Sequence, residues 1–253
     1  MNIFNNKMIP ERPMPDWNKY QATPIHESSD PLVPVSVSKK VGVYPAYYKM
    51  NVANAVPECY VRAQVFERLL HAASLLPEDI QLVVLDGWRP FSVQQYLFDT
   101  LIDLIRQANT YLSHEQVELE ARNLVSPPSA NPRAPSPHLT GGSVDVTLAD
   151  LDGRFLDMGT LFDEASPLSW TCALERKNRD PKEQQARDNR RLLYSAMSKA
   201  GFTNLPSEWW HYDYGNQLWA YHSGADAAAY GAVTLPGIDQ LWQNQLTTHA
   251  ASR

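Results

Sequence analysis

Ser136-Pro137-His138-Leu139-Thr140-Gly141-Gly142-Ser143-Val144-Asp145-Val146-Thr147-Leu148 is the stretch that decides how this chain folds. Its second half alternates strictly, with Val144, Val146 and Leu148 on one side and Ser143, Asp145 and Thr147 on the other, the period of a β-strand. Asp145 therefore leaves the core face and looks into whatever covers the opposite side. The first half is turn chemistry around His138. The approach to it, Ser126 to Pro137, carries five prolines in twelve residues and cannot be regular structure.

Moving outward, Val65, Phe66, Leu69, Leu70, Ala73 and Leu76 recur at helical spacing between Val61 and Leu76, and Pro77 closes the segment. Gln81 to Leu85 reads as a short apolar strand running into Asp86-Gly87-Trp88-Arg89-Pro90, with an amphipathic helix following from Ser92 to Ala108. Asp188 to Ala200 reads as a helix stopped by Gly201. Trp209 to Tyr214 reads as an aromatic strand on which Trp209, His211 and Asp213 share a face. Val33, Val35 and Val37 give a weak strand signal. Helices that precede short strands predict an α+β fold, a single domain with a central antiparallel sheet flanked by helices. The expected organisation is an extended proline-rich segment over 1–40, a catalytic domain over 41–219 and an extension of unknown role over 220–253.

The chain has 253 residues, a formal net charge of −6 and two cysteines. That length suffices for a substantial core, and scattered Lys and Arg in an acidic chain give no footprint for nucleic acid. The mixed run Glu175 to Arg191 reads as a solvated helix face. Cys59 and Cys172 are too few for a disulfide scaffold and read as buried free thiols. The opening Met1-Asn2-Ile3-Phe4-Asn5-Asn6-Lys7 lacks the apolar core of a signal peptide, and no apolar run reaches membrane length. These features predict a cytoplasmic protein without a membrane partner.

A second motif, Glu208-Trp209-Trp210-His211, adds an imidazole and an acid to His138 and Asp145. Two imidazoles and a carboxylate, with one position left for water, form the ligand type of catalytic zinc. Glu208, three residues before His211, is then a candidate base. Blander readings stand beside this. Glu208 alone reads as a cap or salt-bridge residue, Asp86 and Arg89 as turn residues, Asp163 as an acid at a helix N-terminus, and the tryptophans as core. His26, His71, His114, His222 and His249 read as structural.

Taken together, S-x-H-x-x-G-x-(small)-x-D at 136–145, E-W-W-H-Y at 208–212 and D-G-(aromatic)-R-P at 86–90 resemble the D-alanyl-D-alanine dipeptidases. These are the dipeptidase branch of the zinc D-Ala-D-Ala peptidases, which includes the vancomycin-resistance dipeptidase. The similarity runs from about Tyr44 to Tyr214, with the three motifs in order. It implies one zinc ion per chain held by His138, Asp145 and His211, with Glu208 as general base and acid and Arg89 facing the developing oxyanion. It also implies Ser136 and Asp163 in the substrate pocket, Asp163 matching the carboxylate that takes the substrate's free ammonium. Ser143 stands where the family usually has Ala, a change expected to leave the ligand two residues on undisturbed. A pocket tyrosine is expected from Tyr44, Tyr47 or Tyr48. The segment before Val41 and the tail have no counterpart in shorter members.

The implied activity is hydrolysis of a small dipeptide, D-alanyl-D-alanine. The alternatives are a carboxypeptidase or endopeptidase on peptidoglycan stem peptides with the same metal and base, and a non-catalytic zinc-binding recognition module. Oligomeric state is unreadable from the sequence.

Overall fold

The computed structural model describes residues 7–176 and 180–251; the opening Met1–Asn6 and the side chain of His249 lie outside what is described. Its elements are, in chain order, α1 (Trp17–Gln21), β1 (Leu32–Pro34), β2 (Gly42–Val43), α2 (Ala46–Lys49), β3 (Tyr60–Arg62), α3 (Ala63–Ser74), β4 (Ile80–Asp86), α4 (Phe91–Ala108) and α5 (His114–Leu124). After these come β5 (Ser143–Asp150), α6 (Pro181–Lys199), β6 (Thr203–Asn204), β7 (His211–Asp213), α7 (Gln217–Ser223) and α8 (Ile238–Ala251). Five strands make the central sheet in the order β2-β4-β5-β7-β6, and β1 pairs with β3 separately. The central pairs are antiparallel, as expected, except at one edge. There β2 runs parallel to β4, because the chain between them detours through β3 and helix α3 before returning.

The alternation in β5 places its apolar residues as predicted. Val144, Val146 and Leu148 join Leu82 and Val84 of β4 and Tyr212 of β7 against Val65 and Leu69 of α3 and Leu193 and Met197 of α6. The other face is also covered: β5 is buried from Ser143 to Ala149, and Asp145 on that face lines an internal cavity. A smaller cluster of Ala46, Val83, Leu85 and Ala149 forms separately, and α4 and α5 pack on each other through Phe98, Ile105, Val117 and Ala121.

Several boundaries differ from the periodicity, each for a local reason. Helix α3 starts at Ala63, since Tyr60–Arg62 is taken by the ladder to β1. Val35–Val37 forms a 3-10 turn and does not prolong β1. Helix α6 begins at Pro181, where Asp180 accepts the Glu183 N–H as its cap. Its charged run is only partly solvated: Arg190 is 1% exposed and donates to the carbonyls of Met158 and Trp170. Helix α5 escaped the apolar pattern because its sequence is acidic and sparse in large apolar residues; a Ser113–Gln116 capping box starts it. Cys59 is a buried free thiol, Cys172 a half-buried one. No described helix is long and apolar enough to cross a membrane.

The N-terminal segment and the tail, read from sequence as appendages, run alongside each other. Backbone bonds link His26 to Ala228, Ala228 to Pro24 and Ser28 to Ala229. Both converge on Arg62, itself 2% exposed. Its guanidinium donates to Glu27, to the carbonyls of Asp30 and Gly231, and to the carbonyl of Thr140, two residues past His138. Cutting this hub leaves several buried acceptors unpaired. Arg62→Met should cost about 3 kcal/mol or more, measured by urea unfolding. A chain ending at Trp219 should lose comparable stability, whereas one ending at Gly237, which lacks only α8 and the residues after it, should not.

Candidate metal centre

The β5–β7 ladder sets Asp145 opposite His211 and Ser143 opposite Asp213. Slipping this register by one residue would turn every one of these side chains to the apolar face. His138 comes from the 3-10 turn Pro137–Thr140, which Gly141 ends with a φ of 69°. Nε2 of His138, Oδ1 of Asp145 and Nδ1 of His211 form a triangle with sides of 3.4, 3.2 and 3.2 Å, and all three residues are buried. Tetrahedral zinc with bonds of about 2.0–2.1 Å keeps its ligand atoms about 3.3 Å apart. The triangle fits that ion.

The tautomers agree. His138 Nδ1 lies 2.8 Å from the Gly87 carbonyl, which can only accept, so the proton is on Nδ1 and the Nε2 lone pair faces the triangle. Gly87 is required at this point, since a Cβ there would sit 2.4 Å from the carbonyl oxygen of Tyr60. His211 Nε2 lies 3.1 Å from both carboxylate oxygens of Asp213, leaving its Nδ1 lone pair for the triangle. In these tautomers two imidazole lone pairs face a carboxylate oxygen, an arrangement that a metal ion relieves or, in its place, a proton on His211 Nδ1.

Charge is arranged around this point. Burial alone would raise the Asp145 carboxyl, but His138 and then His211 hold it well below the usual carboxylate range. Burial would lower His211, yet Asp213, followed by the hydrogen bonds His211 donates to Asp145 and Asp213, lifts it well above an ordinary histidine. Glu208 is not in the triangle: its Oε2 is 3.9 Å from His211 Nδ1. Burial pushes the Glu208 carboxyl up to about 7, with Asp145 and Asp163 adding and His211 and Arg89 opposing.

Arg89 is pinned on several sides. Its Nε donates to Asp86 at 2.7 Å and one terminal nitrogen to Gln94 at 2.8 Å; the other reaches Asp145 Oδ2 at 3.1 Å and the Tyr47 hydroxyl at 3.4 Å. Asp86, expected only as a turn residue, is thus the anchor of this guanidinium. Of the three candidate tyrosines, Tyr44 and Tyr48 are exposed and Tyr47 is buried. Tyr47 donates to Asp163 at 3.2 Å. Asp163 does not start a helix; it sits in a turn at a φ of 61°, a conformation that aspartate tolerates. Its residue is open to solvent on one side. Loss of water on the other raises its carboxyl pKa, while Arg89 and the Tyr47 hydrogen bond oppose the rise.

Tyr47, Arg89, His138, Asp145, Asp163, Glu208, Trp210 and His211 line one small cavity. Asp163, Glu208 and Trp210 also stand in the wall of an adjoining groove of about 380 Å³, whose other sides include Leu97, Leu101, Leu104, Val125 and Trp170. Ser136 does not join them. Its hydroxyl accepts the Ser129 N–H at 2.7 Å and lies 3.4 Å from the Pro127 carbonyl, so it ties the proline-rich loop together and faces a separate cavity beside α1. Trp209 is core, its Nε1 bonded to Thr160; Trp210 is both core and cavity wall. The residues that the motifs left out are Tyr47, Gln94, Asp213 and Asn216. Tyr47 was one of three candidate tyrosines and Asp213 had its place on the His211 face of β7; Gln94 and Asn216 carried no signal.

A family model described as D-ala-D-ala dipeptidase matches residues 46–227. A D-alanyl-D-alanine dipeptidase of Synechocystis sp. is 32% identical over 219 residues, covering 80% of this chain and 89% of that protein. The Escherichia coli dipeptidase of the same description is 31% identical over 134 residues, 53% of this chain and 55% of that one. A solved structure of the LdcB LD-carboxypeptidase is a distant likeness, with a TM-score of 0.42 at 17% identity over 81% of this chain and 77% of that one.

The Tyr47 hydroxyl stabilises the ionised form of Asp163. Tyr47→Phe should therefore raise the Asp163 carboxyl pKa further, read by ¹³C NMR titration of the labelled side chain; an unmoved or lowered value would contradict the contact.

Proposed function

The chain belongs to the D-ala-D-ala dipeptidase family, matched over residues 46–227, and on that premise we propose that it is a zinc dipeptidase hydrolysing D-alanyl-D-alanine. The observation that carries the reading is the triangle of His138, Asp145 and His211 with a carboxylic acid beside it that stays outside the ligand set. Zinc held by these three residues supplies Lewis acidity at the scissile carbonyl and makes water acidic near neutral pH.

The chain's own groups do the rest. Glu208, buried beside the triangle but outside it, takes a proton from the attacking water and returns it to the leaving amine. Arg89 is kept cationic despite burial by Tyr47, Asp86 and Asp145 and offers a fixed positive charge to the oxygen on which negative charge develops. Asp163, at the outer wall of the cavity, receives the substrate's ammonium. Tyr47 spans the distance between Asp163 and Arg89 and fixes both.

A second reading has one observation in its favour. Asp163 is open to solvent and its wall is shared with the apolar groove, which leaves room for a peptide extended at its N-terminus, as a carboxypeptidase or endopeptidase on peptidoglycan stem peptides requires. A recognition module without catalysis would need neither Glu208 nor Arg89.

Zinc-loaded protein should release free D-alanine from D-Ala-D-Ala but not from N-acetyl-D-Ala-D-Ala or L-Ala-L-Ala. Cleavage of the acetylated peptide would move the protein to the second reading, and no turnover with zinc bound would support the recognition module. Glu208→Ala should keep zinc and lose about a hundred- to ten-thousandfold in turnover, whereas His138→Ala should lose the metal by elemental analysis. Asp163→Ala should raise KM for the free dipeptide and narrow its advantage over the acetylated one; unchanged kinetics would remove Asp163 from the substrate site.

A further inference from the structure

Asp213 is fully buried, and among the described residues its ion-pair partner is His211 alone. A buried carboxylate without a lysine or arginine is costly to keep, so what surrounds it is informative. Oδ1 accepts the Ser143 hydroxyl at 2.7 Å, the Asn216 side-chain amide at 2.7 Å and His211 Nε2 at 3.1 Å; Oδ2 lies 3.1 Å from the same Nε2. Asn216 also donates to the Ser143 hydroxyl at 2.9 Å. Its amide orientation is not free. Asn216 is the N-cap of α7, and its Oδ1 accepts the Trp219 N–H at 2.9 Å, so the NH₂ group must face Asp213. Ser143 comes from β5 directly across the ladder. A strand and a helix cap thus aim two donors at one carboxylate, and that carboxylate meets the far nitrogen of a metal-ligating imidazole.

We propose that Asp213, oriented by Ser143 and Asn216, is a positioning residue that fixes His211 as an Nδ1 ligand and strengthens it as a donor. The proposal rests on the metal site described above. It gives Ser143 a function, where the family resemblance led to the expectation of a silent change from Ala. The carboxylate keeps the Nε2 proton in place, holds the ring in the plane that points Nδ1 at His138 and Asp145, and places negative charge behind the ligand. Partners in this position typically contribute about ten- to a hundredfold to metal affinity.

The test uses zinc alone, without peptide. The zinc dissociation constants of wild type, Asp213→Ala, Asp213→Asn and Ser143→Ala are measured by competition with a chromophoric chelator, and the cobalt(II)-substituted proteins are compared by their visible absorption. Asp213→Ala should weaken zinc binding about ten- to a hundredfold and change the cobalt spectrum. Asp213→Asn should fall between it and wild type, because one carbonyl oxygen can still take the Nε2 proton. Ser143→Ala, which removes one donor and no charge, should fold normally, weaken zinc by a smaller factor and shift the cobalt spectrum in the same direction. Wild-type zinc affinity and spectrum in a folded Asp213→Ala protein would overturn the proposal. If that variant does not fold, the same result in Ser143→Ala would do so. A protein that binds zinc normally but cleaves no dipeptide would sink the functional reading and leave this one intact.

Discussion

Asp145 and His211 face each other across one rung of a two-strand ladder, and the next rung brings Ser143 to Asp213. Two of the three ligand residues, and the carboxylate and hydroxyl behind them, are set by that register. Because β5 is buried on both faces, each group in its polar row gains from a protein partner or an ion. The apolar row of the same strand, Val144, Val146 and Leu148, is locked into the main core, so the polar row cannot slip without dragging apolar side chains out of it. Core packing and ligand geometry are consequences of one strand pairing.

The cavity is also short of positive charge. Asp86, Asp145, Asp163 and Glu208 surround a single guanidinium, Arg89. Loss of water, with neighbouring acids adding, raises the carboxyls of Glu208 and Asp163 against the opposing pull of Arg89, which is how crowded carboxylates respond when positive charge falls short. A divalent ion in the triangle and an ammonium against Asp163 would together supply what the protein omits. On this view the two acids outside the triangle are not spare. One stands beside the triangle, where a proton has to move, and the other is open to solvent where a charged amine can arrive.

Much of this was legible in the residues. The alternation at 143–148 placed Asp145 off the core face, and the spacing at 208–211 put an acid next to an imidazole without making it a ligand. The sheet was legible except where β2 and β6 are only two residues long and carry no period. What stayed hidden was of another kind. Tyr47 is indistinguishable from Tyr44 and Tyr48 until α2 turns it inward, and Gln94 is an unremarked polar residue on α4 until Arg89 reaches it. Ser136 stands apart from the others because a backbone N–H of its own loop takes the hydroxyl. Partnerships between distant side chains leave no periodicity to read.

The segments outside the family match act on the site through backbone contacts. Val233, past the end of the matched region, donates its N–H to the carbonyl of Leu139, next to His138, and accepts the indole N–H of Trp88, next to Arg89. A single tail residue thus bridges the loop that carries a metal ligand and the turn that carries the guanidinium. The N-terminal segment holds that tail in place: Glu27 accepts the Gly231 N–H and binds Arg62, and Asp30 accepts the Tyr230 hydroxyl. Neither loop is rigid by its own sequence, since one is 3-10 helix ending in glycine and the other turns at Gly87. A site that needs its ligand atoms placed to within a few tenths of an ångström gains from having two such loops tied to one strap, and here the strap is supplied by residues 24–30 and 228–233.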